Sequence, residues 1–312
     1  MNFHIISVLN PNHFITSRIP SYRLRLSYVF NAAKELGFKV SGNLSVSEKA
    51  DIYYVGKLTH NIDKTKIKNI IIALKKSNAK IFIDYTDDWI HVDQSPNKAI
   101  YEELLSLNAT VVVPVKGLGE KLQQLGKNTI VIPDGIDDIP NTIPISKKNE
   151  KKNLLWHGHS SNINSLIRVL SNELVDYNFN LHLVTNPTTF EIIKNTKFTT
   201  IPKCKLIPYY WSIETLQEVS QKCDFAILPI DKIWASANRM VSNFRLGLPI
   251  IAETISSYVE YSNFYTDFTE PNISNMFRSP EKWHELVKIV QNKINKDFDK
   301  DLIMNYWKDC FR

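Results

Sequence analysis

Glycine and cysteine are both scarce in this sequence. Nine glycines in 312 residues fall well below the usual share of about 7%, which excludes collagen-like and glycine-rich repeat architectures. The only cysteines are Cys204, Cys223 and Cys310. Odd in number and far apart, they form neither a disulfide framework nor a zinc-ligand spacing, which fits a reducing compartment. No apolar run approaches the ~18 residues that span a bilayer. The opening MNFHIISVLN has no basic stretch ahead of its apolar run and no cleavage site behind it. It reads as a first strand rather than a signal peptide, and the expected location is the cytoplasm. Three nucleotide and hydrolase signatures are also missing: G-x-G-x-x-G after the first strand, G-x-x-x-x-G-K and G-x-S-x-G. Nicotinamide dehydrogenases, P-loop hydrolases and α/β-hydrolases thereby lose their main support.

What is present describes a globular protein of about two domains. Hydrophobic residues make up 43% and charged residues 22%, enough to bury a full core. Lys and Arg number 38 against 32 Asp and Glu, a formal charge of +6. That excess suits anionic partners, namely nucleotides, phosphates, anionic lipid surfaces or nucleic acid, without choosing among them.

Short β-branched runs alternate with longer amphipathic stretches. Strands are predicted at 3–9, 51–55, 79–84, 109–113 and 129–132, then at 153–156, 180–184, 203–207, 223–228 and 248–252. Helices are predicted at 21–36, 63–77, 97–107, 116–125, 161–171, 187–195, 212–222 and 236–246. Strands apolar on both faces belong in parallel sheets covered by helices, and the alternation argues βαβ units. It breaks at 138–152, DIPNTIPISKKNEKK, where prolines and a charged run build no core. The expected class is therefore α/β, two doubly wound Rossmann-like domains facing across a cleft. The expected division is a first domain over 1–138, a linker over 139–152 and a second domain over 153–297. Two terminal helices, 280–295 and 298–311, follow, and the segment 298–312 is expected to pack back on the first domain.

In open α/β sheets, ligands bind beyond the carboxyl ends of the strands, so chemistry is sought in the strand-to-helix turns. The strand 79–84 runs into Asp84-Tyr85-Thr86-Asp87-Asp88-Trp89, with His91 and Asp93 behind it. Carboxylates crowded at a strand end are expensive to bury without a use and can supply a base near neutral pH. Asp84, Asp87, Asp88 and His91 are the candidate catalytic residues, Asp87 and Asp88 ahead of the others because they lie past the strand end. The second domain opens on Trp156-His157-Gly158-His159-Ser160-Ser161-Asn162. Here a bare glycine admits a ligand to the backbone, and a helix start capped by Ser or Asn attracts phosphate. The third segment is Ile227-Leu228-Pro229-Ile230-Asp231, then Ser236-Ala237-Asn238-Arg239, then Gly247-Leu248-Pro249-Ile250-Ile251-Ala252. Ser236 is placed to cap a helix carrying Arg239 in its first turn. A cation there opposes the helix dipole unless an anion is bound, and Gly247 is placed to end the helix. Neither the acids nor His157-x-His159 have a metal-ligand spacing, so no metal is expected.

These residues resemble the bacterial GT-B glycosyltransferases, nearest the group 1 type. The likeness is one of pattern over most of the chain. It runs from Ser17-Arg18 through Arg25, Phe82-Ile83-Asp84-x-x-Asp87-Asp88 and Ile132-Pro133-Asp134-Gly135-Ile136-Asp137 to Trp156-x-Gly158 with Asn162. Its most specific part is Ser236-Ala237-Asn238-Arg239 followed by Leu246-Gly247-Leu248-Pro249-Ile250-Ile251-Ala252. The resemblance implies a nucleotide-sugar donor, UDP favoured, on the second domain, with Gly158, Ser160, Ser236, Asn238, Arg239 and Ser242 as its binding residues. It implies a glycan or lipid-linked acceptor on the first domain, no metal and no separate cofactor, and a place in surface polysaccharide synthesis. One departure stands out. Many group 1 members carry Glu-x7-Glu ahead of the glycine, and Trp234 and Ser242 occupy those two positions here. A catalytically silent nucleotide-sugar-binding or partner subunit is the alternative, and a nucleotide-sugar isomerase a third reading. No nucleic-acid partner is expected. The segment 18–39, with Arg18, Arg23, Arg25, Lys34 and Lys39 among apolar residues, adds an expectation of peripheral contact with an anionic inner-membrane face.

Overall fold

The computed structural model describes residues 1–17, 19–47, 49–92, 95–143, 151–195, 203–231, 233–269 and 271–312. Arg18, Asp93 and the linker stretch 144–150 lie outside the described residues. Contacts divide the chain into two compact units. The first comprises Met1–Gly135, Trp234–Ser236 and Phe298–Arg312, the second Ile136–Ile233 and Ala237–Asp297.

The first unit holds a six-stranded parallel sheet: β1 (Asn2–Ile6), β2 (Lys39–Asn43), β3 (Ile52–Val55), β4 (Lys80–Asp84), β5 (Thr110–Val113) and β6 (Asn128–Val131). Their order is β2-β1-β3-β4-β5-β6, so the chain reverses direction across the sheet between β1 and β3. The middle strands read as unbroken apolar runs because both faces are covered: Ile52 to Val55 and Ile81 to Ile83 are all buried. One face carries α2 (Lys64–Lys76), α3 (Lys98–Leu105) and α4 (Lys116–Gln124), whose Ile67, Ile70, Ile71, Leu74, Leu104, Leu118 and Leu122 share a core with Val55, Ile83 and Val113. The apolar spacing of α2 sets its inner face, and Asp63 starts it by accepting the Lys66 amide at 2.8 Å. The helix expected at 21–36 is a π-helical turn, Tyr22–Leu26, running into α1 (Ser27–Glu35). The last helix, α11 (Lys300–Phe311), packs beside α1. Its Phe311 lies edge-on to Phe3 and Phe82, with ring centroids 4.9 and 5.3 Å apart.

The second unit is built the same way from β7 (Lys152–Gly158), β8 (Phe179–Thr185), β9 (Cys204–Tyr210), β10 (Phe225–Leu228), β11 (Ile250–Ala252) and β12 (Tyr265–Thr266). All pairs are parallel in the order β12-β11-β10-β7-β8-β9. This is the doubly wound Rossmann order, with its switch point between β7 and β10. The helices are α5 (Ile163–Asn172), α6 (Pro187–Asn195), α7 (Ile213–Ser220), α8 (Asn238–Arg245), α9 (Asn272–Arg278) and α10 (Pro280–Asp297). Gly247 does end α8. Its φ is +76°, and the Gly247 and Leu248 amides return to the Phe244 and Asn243 carbonyls at 3.0 and 3.1 Å, a Schellman closure.

Among the described residues, two strands and one α-helix were missed from the sequence. β2 is an edge strand, KVSGN, alternating exposed and half-buried residues with no apolar run. β12 has two residues and α9 seven, too short for either periodicity to register. No helix among the described residues is long and apolar enough to cross a membrane.

Candidate functional site

In the first unit the acids after β4 separate into two groups. Asp84 has no exposed surface. Arg25, 1% exposed, reaches its Oδ1 with both Nε and Nη2 at 2.8 Å. The Arg25 Nη1 donates to Asp134 Oδ1 at 2.8 Å and to the Ile132 carbonyl at 3.0 Å. Trp307 of α11 covers the guanidinium at 5.2 Å. Burial opposes the Arg25 charge, but Asp84 and Asp134 outweigh it and hold the side chain above its ordinary pKa. Asp84 therefore joins the turn before α1 to the ends of β4 and β6, and an acceptor has no access to it. The same finding bears on segment 18–39. Arg25 faces the core, Arg23 donates to the Ser17 carbonyl at 2.7 Å, and Lys34 lies over Phe30 at 4.5 Å. Of the described basic residues in this segment, Arg25 is thus turned away from any surface.

Asp87, Asp88 and His91 lie beyond the strand end, where their side chains are partly exposed. Tyr85 fixes this turn: its hydroxyl accepts the Trp89 and Ile90 amides at 2.9 and 3.1 Å and lies 3.3 Å from Asp88 Oδ1. Tyr101 of α3 meets Tyr85 edge-on and stacks on Trp89. Asp88 Oδ1 is 2.6 Å from His91 Nδ1, and Oδ2 accepts Lys121 Nζ at 2.7 Å. Partial burial works to raise the Asp88 carboxyl, but the bonds from Lys121 and His91 prevail and hold it below the usual carboxylate range. Asp87 Oδ2 accepts Lys57 Nζ at 2.8 Å, with Lys57 lying 4.9 Å over Trp89. Lys121 also lies 5.8 Å from the Trp234 ring. Each acid thus has a lysine of its own, from the turn after β3 and from α4. Sequence reasoning passed over both lysines. Lys57 was findable, because it stands two residues past the end of β3, in the kind of turn where ligands bind.

In the second unit the candidates gather at the carboxyl ends of β7 and β10 and on α8. Arg239 is in the first turn of α8, as expected, and its Nη1 is buried without a hydrogen-bond partner among the described residues. Two groups lie within its electrostatic reach. His157, on β7 and 6% exposed, has an unpartnered Nε2, and Tyr258, after β11 and fully buried, an unpartnered hydroxyl. Burial and then the Arg239 charge push the His157 pKa down to about 3, so its ring is neutral. Buried polar atoms are almost always paired. Arg239 Nη1 and two such atoms within reach of its charge, His157 Nε2 and the Tyr258 hydroxyl, leave hydrogen bonds in reserve. Neither His157 nor Tyr258 was singled out for this role from the sequence.

Other expectations here change in detail. Ser236 does not cap α8: the capping position is Ala237, with no side-chain bond, and Ser236 clusters with the first unit. Asn238 opens α8, and Ser242 is turned inward, donating to the Asn238 carbonyl at 2.8 Å. At the β7 turn the capping side chain is His159, which accepts the Ser161 amide at 3.4 Å and lies 3.2 Å from the Ser160 hydroxyl. Gly158 makes room for protein: a Cβ there would stand 2.8 Å from the Trp156 indole. Asp231, after β10, accepts Ser165 at 2.5 Å and pairs with Arg168, which also binds Glu253 at 2.5 Å. A separate cavity lined by Cys223, Asp224, Gly247 and His284 opens at the amino ends of β10 and β11, away from these groups. Among the described residues no group of three or more His, Cys, Asp and Glu is placed to hold a metal ion.

No protein-family model and no curated protein sequence matches the chain. Solved structures do. HepE of Anabaena, in structures with UDP and glucose and with UDP-glucose, superposes with a TM-score of 0.68 over 100% of this chain and 99% of its own, at 11% and 10% identity. WaaG, a glycosyltransferase involved in lipopolysaccharide biosynthesis, matches at TM-score 0.56 and 12% identity, over 99% of this chain and 94% of its own. A DNA-modifying β-glucosyltransferase matches at TM-score 0.55 and 15% identity, over 100% and 98%. At such identities the likeness is one of fold. The chain has the GT-B fold of these glycosyltransferases, built from two doubly wound, Rossmann-like units.

Proposed function

We propose that the protein transfers a sugar from a UDP-sugar to a hydroxyl of a glycan or lipid-linked acceptor. The observation that carries the reading is Arg239. A guanidinium nitrogen buried without a partner in the first turn of α8, near the unpartnered His157 Nε2 and Tyr258 hydroxyl, is stabilised by an anion at that helix start. The diphosphate of a nucleotide sugar supplies that anion, and in this reading the helix and Arg239 meet its charge without a metal. The UDP and UDP-glucose held by HepE support the choice of nucleotide. The first unit receives the acceptor, with Asp87, Asp88 and His91 beside the hydroxyl that reacts. Surface polysaccharide synthesis is the proposed setting, in line with the role of WaaG.

The test is a thermal-shift panel of UDP, GDP, CMP and ADP on the full chain. A ligand at 100 times its Kd adds about 2.7 kcal/mol of stability. UDP is expected to raise Tm most, and in Arg239→Ala that gain shrinks. Equal, negligible shifts with all four nucleotides count against the reading. Binding without turnover of any nucleotide sugar selects the silent subunit instead.

A further inference from the structure

One helix of the first unit carries a charge close to the excess of the whole molecule. α2 reads KTKIKNIIIALKK, five lysines and no acid, against a formal +6 for the chain. All of these lysines are exposed, and among the described residues none is in an ion pair. Other helices neutralise surface lysines within themselves: Lys116 with Glu120 on α4, Lys288 with Glu285 and Lys293 with Asp297 on α10. On α2 the pattern works against the helix. Lys64 and Lys68 repel across one turn, and Lys64 and Lys66 stand in the first turn, at the positive end of the dipole. Lys64, Lys68 and Lys75 share one flank, so their charges lie in a row about 16 Å long. The apolar side of α2, Ile67, Ile70, Ile71 and Leu74, is buried in the core, and Ile72 is left 41% exposed. A helix that lies in a lipid surface needs an apolar face turned outward, and α2 turns its own inward. It also has no arginine and no aromatic residue, the side chains that fork onto single phosphates and stack on bases. What remains suits a flexible chain with negative charge repeated along its length.

We infer that α2 is a docking strip for an acidic glycan, and that the acceptor is a polymer bearing a carboxylate or a phosphate in its repeat. This rests on the transferase reading above, in which the first unit receives the acceptor. The strip begins seven residues after Lys57, which pairs with Asp87 at the carboxyl end of the sheet. A chain held along α2 by its body therefore keeps its end close to those acids, which raises the effective concentration of the reacting hydroxyl. Lysines act as hydrated point charges on flexible stems. Contacts of this kind release counterions, weaken as salt rises and demand no exact register. They hold any stretch of the polymer equally well, as a chain that lengthens requires.

The test is binding of end-labelled oligomers to the full chain, read by fluorescence anisotropy at low and high salt. The probes are polygalacturonate, poly(glycerol phosphate) and neutral dextran of matched length, with duplex DNA and phosphatidylglycerol vesicles as the competing anionic partners. At least one acidic glycan is expected to bind, more weakly as salt rises, and dextran is not; which of the two binds better tells carboxylate from phosphate. Lys64→Gln with Lys68→Gln and Lys75→Gln is expected to lower that affinity about tenfold and to flatten its salt dependence. Lys222→Gln with Lys288→Gln and Lys293→Gln removes the same charge from acid-paired positions and is expected to stay within about twofold of wild type. No binding of either acidic glycan overturns the inference. So does an equal loss in both variants, which makes the effect one of net charge alone, and so do DNA or vesicles bound more tightly than the glycans through the α2 lysines. A UDP thermal shift on the same proteins keeps the two readings apart, and it is expected to be equal in wild type and the α2 variant. UDP stabilisation without glycan binding overturns this inference alone. Glycan binding through α2 without UDP stabilisation overturns the transferase reading and leaves the docking strip standing.

Discussion

Arg25 is 1% exposed and carries Asp84 and Asp134 at 2.8 Å, so removing it strands Asp84 in a site that water does not reach. Arg25→Met is expected to cost about 3–5 kcal/mol of folding stability, read as a fall in the urea midpoint; a loss below about 1 kcal/mol contradicts the triad. His157 carries a second prediction at this scale. Its folded pKa is about 3 against 6.5 for the free side chain. Between those values the unfolded chain binds a proton that the folded chain does not. Stability from this group is therefore complete above pH about 6.5 and is lost as pH falls toward 3, at up to about 1.4 kcal/mol per pH unit. Buried His4 is depressed in the same direction, so His157→Gln is the comparison that isolates one residue. Its stability curve between pH 4 and 6.5 is expected to be flatter than wild type, and an unchanged slope contradicts a neutral, buried ring. The sequence led to both places but mistook one role. The crowded acids after β4 pointed to chemistry, yet Asp84 answers to Arg25, 59 residues away in the chain, and Arg25 to Asp134, 109 away. Such pairing is invisible in a single sequence. The place of Arg239 in a first turn was legible, because Gly247 and the strand before it bound the helix on local grounds alone.

At the scale of elements, α11 closes the first unit from far along the chain. Trp307 is fully buried, with its ring over Arg25 and 5.7 Å from Tyr54, and Lys308 pairs with Glu35 of α1 at 2.5 Å. Trp307→Ala removes a large packed ring and uncovers the ion triad. The expected cost is about 3–5 kcal/mol, measured by urea unfolding, and a loss below about 1 kcal/mol shows that α11 adds little. Among the described residues ten of the twelve strands were legible, because a strand covered on both faces must be apolar throughout. β2 escaped because an edge strand with one row of half-buried residues, Val40 and Gly42, has no run to read. The caps were harder still. Ser236 has the right chemistry, but Ala237, one residue on, holds the capping position of α8; Asn162 does hold that of α5, yet makes no side-chain bond, and His159 caps the short turn before it, differences a sequence pattern does not resolve.

On the scale of the molecule, the proposed function assigns each unit one need of a transfer reaction. In the proposed reading the second brings Arg239, with its unpartnered Nη1, to a diphosphate, and the first brings Asp87, Asp88 and His91 to an acceptor hydroxyl. The formal charge of +6 favours an anionic donor over a neutral one. The overall architecture was legible from strand–helix alternation, while the pairing of Lys57 with Asp87 and of Lys121 and His91 with Asp88 came only from the fold that gathers them. The central claim is that the protein consumes a nucleotide sugar through Arg239. It is tested most directly by measuring UDP release from a panel of UDP-sugars with wild type and Arg239→Ala side by side. The account expects turnover of at least one donor, with the variant folded and its donor Kd raised about 10–100-fold, the loss of one charge-assisted contact worth about 1.5–3 kcal/mol. Wild-type protein that neither binds nor turns over any UDP-sugar, or a variant with unchanged donor affinity, contradicts it.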